Sequence, residues 1–135
     1  MLFNGIMNIC FRLKPGEDLK RFIENYATKE KISGVVVSGV GSLSNLKIRL
    51  ADGKTILERK SEFEIVSLTG TLSPDGVHLH ISVADTEGNV IGGHLKDGCI
   101  INTTCELCIN VYNDIVFSRV YDEKTGYKEL QVHRS

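Results

Sequence analysis

The sequence predicts an α+β fold, a single domain in which one flanking helix packs on a highly curved, mainly antiparallel sheet. Helical periodicity is confined to one segment, where Leu19, Phe22, Ile23, Tyr26 and Ala27 recur on one face. Most other apolar residues alternate with polar ones at period two, as strands do. Short turn-forming clusters separate those segments, which favours hairpins over helical crossovers.

Met7, Ile9, Phe11 and Leu13 alternate with Ile6, Asn8, Cys10 and Arg12 in a first strand with one core-facing side, ended by Pro15 and Gly16. The helix is predicted over 17–30, with Glu17 and Asp18 in its first turn, where the helix dipole favours anions. Val35, Val36 and Val37, bounded by glycines, read as a strand covered on both faces. Gly39-Val40-Gly41 begins like a dinucleotide-binding turn, but the third glycine is missing and strand alternation follows, so it reads as a bend or bulge. Leu46, Ile48 and Leu50 alternate with Lys47 and Arg49, which places both cations on the solvent side. Asp52-Gly53 then turns the chain into a strand from Thr55 to Arg59. Further strands are expected at 63–72, 77–84, 90–95, 101–112, 116–122 and 127–132, with Ser-Pro-Asp-Gly, Glu-Gly-Asn, Asp-Gly and Thr-Gly among the turns between them.

A length of 135 residues suits one domain over 1–135. Sixteen Lys plus Arg against seventeen Asp plus Glu give a formal charge of −1, with no dense basic block. An electropositive stripe for neutralising phosphates is missing, which weighs against DNA binding. No segment approaches the ~20 apolar residues of a membrane span. The N-terminus lacks a basic region followed by an unbroken apolar run, so a cytoplasmic location is expected. Cys105 and Cys108 have C-x-x-C spacing, but on a strand they face opposite ways. Together with Cys10 and Cys99 they read as structural thiols.

His78 and His80 share the polar face of a strand whose other face carries Val77, Leu79, Ile81 and Val83. If Asp85 to Asn89 form a five-residue loop, Ala84 pairs with Val90, Ser82 with Gly92 and His80 with His94. All three histidines then meet on one face. Gly92 and Gly93 would leave open space beside Ser82 for a ligand. Three imidazoles around a divalent ion, zinc foremost, leave a fourth position free, the arrangement of a catalytic site. Iron, manganese, nickel and copper also accept nitrogen donors. Glu64 and Glu106, each held in a strand by apolar neighbours, are the candidate acid-base residues. His133 reads as a surface residue near the end of the chain.

Several stretches resemble the PPC, or plants and prokaryotes conserved, family. They are Arg12-Leu13-Lys14-Pro15-Gly16-Glu17-Asp18-Leu19, the segment 34–43, Phe63-Glu64-Ile65-Val66-Ser67-Leu68-Thr69-Gly70, His78-Leu79-His80 through Asp85, Gly92-Gly93-His94-Leu95 and Thr104-Cys105-Glu106. The likeness covers about residues 8 to 115. It implies a compact domain, commonly a homotrimer, in a family often labelled as DNA-binding. Plant members contact DNA through a separate AT-hook, and no Arg-Gly-Arg-Pro stretch stands in this sequence. Ser61-Glu62 replaces the Gly-Arg that precedes Phe63-Glu64-Ile65 in the plant pattern. The family's fold is also similar to that of acetolactate decarboxylase, a zinc enzyme with a His-x-His pair and a later His, an order that His78, His80 and His94 match. The resemblance thus implies a metal site and a homo-oligomer; the reading carried forward is a metal-dependent enzyme on a small carbonyl or carboxylate compound, with a DNA-associated regulatory or oligomerisation module as the alternative. A shared fold does not carry the reaction with it.

Overall fold

A computed structural model describes residues 5–134. Part of the leader reading falls on residues 1–4, which lie outside the described residues. The elements are β1 (Ile6–Leu13), α1 (Leu19–Lys29), β2 (Gly34–Arg49), β3 (Ile56–Ser73), β4 (Gly76–Ala84), β5 (Val90–Leu95), β6 (Ile100–Tyr112), β7 (Ile115–Asp122) and β8 (Tyr127–Arg134). Every strand pairing is antiparallel. The expected class, one helix on a curved antiparallel sheet, is the one observed. No helix among the described residues is long and apolar enough to cross a membrane.

Six strands form one sheet in the order β1-β6-β2-β3-β4-β5, and the end of β2 also pairs with β5 through Ile48–Leu95 and Arg49–His94. That extra pairing closes β2, β3, β4 and β5 into a ring. Ile48, Leu79, Ile81, Val83 and Leu95 point into it and are buried, and their alternating neighbours face outward. On the other half of the sheet, α1 sets Leu19, Ile23 and Ala27 into the core. Phe11 of β1 meets Phe22 and Tyr26 of the helix edge-on at 5.2 and 4.8 Å.

β7 and β8 make a separate hairpin laid against the ring. Three bonds anchor it: the Phe117 N–H donates to the Ser33 hydroxyl at 2.8 Å, the Arg119 N–H to the Asp75 carboxylate at 3.0 Å, and the Arg119 guanidinium to Thr71 Oγ1 at 2.8 Å.

Four expectations change. The runs around Val35 and Leu46 belong to one 16-residue strand, and those around Thr55 and Phe63 to one of 18 residues. Register shifts at 36/38, 41/43 and 43/45 break the alternation along β2 and hide its continuity in sequence. Gly41 allows the bend, because a Cβ there would strike the Thr104 carbonyl. Val36 is buried while Val37 is 56% exposed, so this segment is covered on one face only. Finally, Glu17 and Asp18 precede the helix. Asp18 is its N-cap, accepting from the Arg21 N–H at 3.1 Å and from the Gly98 N–H at 2.8 Å. Glu17 instead accepts from the Lys14 N–H at 2.7 Å.

Asp18 therefore ties the helix start to the turn before β6. Asp18→Ala is expected to cost ~1–2 kcal/mol, read as a lower urea midpoint at unchanged slope, with Asp18→Asn losing less. An Ala variant as stable as the wild type would show that the cap contributes nothing.

Candidate metal centre

The centre starts from a turn. The Asp85 carboxylate accepts from the backbone N–H groups of Glu87 and Asn89, each at 2.9 Å, and the Asp85 N–H donates to the Asn89 carbonyl at 2.9 Å. These bonds hold the Asp85 pKa below the usual carboxylate value, the Asn89 bond first. They close a five-residue loop, so Ala84 pairs with Val90, Ser82 with Gly92 and His80 with His94, the register read from the sequence.

His78 and His80 project outward from β4, and His94 joins them from β5. The Nε2 atoms of His78 and His80 lie 3.2 Å apart. One ring nitrogen from each of the three imidazoles falls within 4.8 Å of the others. A tetrahedral ion with bonds of ~2.0 Å asks for donors ~3.3 Å apart, a spacing that the first pair meets, while the third nitrogen lies within 4.8 Å of both. Among the described residues this is the group of three or more His, Cys, Asp or Glu placed to share an ion.

Burial, helped by the charge on Arg49, lowers the His94 pKa to about 4. His78 is lowered too, by burial first and then by His80 and Arg119. Both rings are therefore neutral near pH 7, the state in which imidazole binds a metal. His94 Nδ1 is buried with no hydrogen-bond partner, a nitrogen lacking any acceptor or proton donor from the protein. The donor set thus fits a divalent ion.

A cleft of about 300 Å³ opens beside His78 and His94. Its walls include Arg49 and, from the β7–β8 hairpin, Arg119, Tyr127 and Glu129. Sequence alternation put Arg49 on the solvent side. It does point outward, but the hairpin half-buries it, with its guanidinium 6.0 Å from the Tyr127 ring centroid. Arg119 has no periodicity or motif to single it out. Only the docking of the hairpin brings it here.

The other candidates lie elsewhere. Glu64 is exposed and pairs with Ala84, four residues or ~13 Å along β4 from His80. It borders a different cleft, of about 530 Å³, together with Ser42 and Glu62. Glu106 is exposed on β6 opposite Arg12 and Val40. Within one chain neither lines the histidine cleft, whose carboxylates are Glu24, Asp75 and Glu129. His133 sits exposed on β8, 3.4 Å from the Ser118 hydroxyl. Gly92 and Gly93 do not make room for a ligand. Cβ atoms there would strike the Ile81 and Arg49 carbonyls, so these glycines let β5 approach both neighbours.

Cys105 and Cys108 face opposite ways, Cys105 buried and Cys108 outward with its sulfur 3.0 Å from that of Cys10.

Residues 3–113 match the model of the Plants and Prokaryotes Conserved (PCC) domain. The chain belongs to that family. Over 124 residues it is 45% identical to part of a bifunctional protein GlmU from Synechococcus, covering 91% of this chain but only 20% of that protein. It is 27% identical to an Arabidopsis AT-hook motif nuclear-localized protein, covering 87% of this chain and 42% of the relative. The chain therefore spans well under two thirds of these relatives. Among solved structures, a hypothetical protein from Salmonella matches with a TM-score of 0.91 at 30% identity, over 98% of this chain and 97% of the other. A metal-containing protein from Archaeoglobus fulgidus shares the fold, with a TM-score of 0.72 at 24% identity over 93% of each chain.

Burial pushes the Cys99 and Cys105 thiols up to about 11, which leaves almost no thiolate at neutral pH. Native protein treated with iodoacetamide at pH 8 should leave both unmodified until urea is added, as read by peptide mass spectrometry. Rapid native labelling of either would contradict the burial described here.

Proposed function

We propose that this PCC-domain protein is a homotrimer that binds a divalent metal, zinc first among candidates, through His78, His80 and His94, and that it acts on a small carbonyl or carboxylate compound. The observation carrying this reading is the convergence of three imidazole nitrogens within 4.8 Å from two paired strands. The neutrality of His78 and His94 and the metal content of a protein with the same fold support it. When bound, such an ion supplies Lewis acidity toward a substrate oxygen. This chain's residues do the rest: the three imidazoles fix the ion's position, and the β7–β8 hairpin walls the cleft beside it.

The trimer is supported by an apolar surface left open on the isolated chain. Val37, Val40 and Val66, on the adjacent strands β2 and β3, are each more than half exposed, as at surfaces that associate. A role for Glu64 or Glu106 at the metal would require a neighbouring subunit to bring it there.

Elemental analysis of protein dialysed against a chelating resin should find about one ion per chain, with the ion lost in His80→Ala and kept in His133→Ala. Equal metal content in His80→Ala and wild type would refute the assignment. Light scattering should return three times the 14.9 kDa chain mass. A monomer at micromolar concentration would remove the trimer.

A second reading, a DNA-associated oligomerisation module, draws on the name of the AT-hook relative. The formal charge of −1 weighs against it. A duplex titration at low salt decides: no binding dismisses it, whereas binding that weakens steeply with salt would establish it.

A further inference from the structure

We infer that Arg49 and Arg119 form an oxyanion-binding subsite beside the three histidines, through which the cleft holds a small organic acid by its carboxylate or phosphate group. This deepens the metal reading and rests on it for any chemistry, while the subsite has its own geometry.

Strand pairing sets the placement. Thr69 lies opposite His80, His80 opposite His94, and His94 opposite Arg49, so four outward side chains form one row across the ring. In the next row Thr71 lies opposite His78, and Thr71 Oγ1 accepts from the Arg119 guanidinium at 2.8 Å. The two guanidiniums thus flank the histidines, one from β2 and one reaching in over β3. Both line the same cleft as His78 and His94.

Each guanidinium keeps a buried Nε–H that no protein atom accepts. Buried donors without acceptors are costly and uncommon in native structures. Among the described residues neither arginine lies within ion-pair distance of a carboxylate. Three carboxylates do border the cleft, and two are engaged elsewhere. Asp75 accepts from the Arg119 backbone N–H, and Glu24 faces Lys20 at 3.7 Å. Glu129 is left, within electrostatic reach of Arg119 and His78.

The ligand chemistry follows from these donors. A planar guanidinium offers parallel N–H groups matched to the oxygens of carboxylates and phosphates. The Tyr127 ring lies 6.0 Å from the Arg49 guanidinium, at the edge of cation–π range. A divalent ion on the histidines would add to the positive charge of both arginines, and a bound anion would offset it. The cleft volume of about 300 Å³ suits a small molecule.

The test is calorimetric titration of the full chain, both metal-free and zinc-loaded, with pyruvate and with inorganic phosphate, for wild type, Arg49→Gln, Arg119→Gln and the distant control Lys60→Gln. Saturable binding of at least one probe is expected, weakened about tenfold or more in each arginine variant and unchanged in the control. Each variant should take up at least as much metal as wild type, and titrations are run well below the melting temperature, which Arg119→Gln is expected to lower slightly through loss of its bond to Thr71. Tighter binding of pyruvate assigns the carboxylate, and tighter binding of phosphate the phosphate. Wild type that binds neither probe, or arginine variants that bind as well as wild type because Glu129 already neutralises the pair, would overturn the subsite. Arginine-dependent binding by a protein that takes up no zinc would sink the metal reading and keep the subsite. Zinc uptake without arginine-dependent binding would do the reverse.

Discussion

The double pairing of β5, with β4 on one edge and the end of β2 on the other, is the constraint on which the rest depends. It closes the ring and fixes which side chains of three strands share the outer surface. Side-chain direction on a strand alternates, so a one-residue slip of β5 would send His94 inward and Leu95 out. Two opposing demands therefore hold one register. Leu95 is fully buried against the ring interior, and Asp85 locks the loop from outside through two backbone N–H groups. Gly92 and Gly93 serve the same end, because β5 approaches both neighbours too closely for side chains there.

The electrostatics of the outer face follow from that register. Arg49 stands directly across from His94 because β2 closes the ring, and its charge helps keep the imidazole neutral. The same charge opposes any cation the histidines hold. A site of neutral donors flanked by two guanidiniums holds an ion against some repulsion. It suits an ion with an anionic ligand beside it, whose charge relieves both repulsions together.

Local chemistry was legible in the sequence. The alternation around His78 and His80 gave their face, and the count of residues from Asp85 to Asn89 gave the register of His94, because both depend only on neighbours in the chain. Illegible features depend on contacts between distant segments. The continuity of β2 is hidden by bulges that shift its phase, all of them in its pairing with β6 and one also in its pairing with β3. Arg49 looked solvent-facing because nothing local announces that a hairpin some seventy residues later will cover it. The apolar neighbours of Glu64 and Glu106 mark strand placement and say nothing about distance from the histidines.

Where the cleft residues lie along the chain bears on what this centre does. The family match ends at residue 113, so the three histidines, Arg49 and the ring they stand on belong to the common domain. Arg119, Tyr127 and Glu129 come from the β7–β8 hairpin beyond it. One guanidinium of the cleft and the aromatic ring beside the other therefore lie past the matched segment, in a stretch that the Salmonella structure also covers. A hairpin is a separate sheet here, joined to the ring by a few bonds, those of Phe117 to Ser33 and of Arg119 to Asp75 and Thr71. Its side chains can change without disturbing the core that positions the histidines. In this architecture the ring positions the three histidines, and the hairpin walls the cleft beside them.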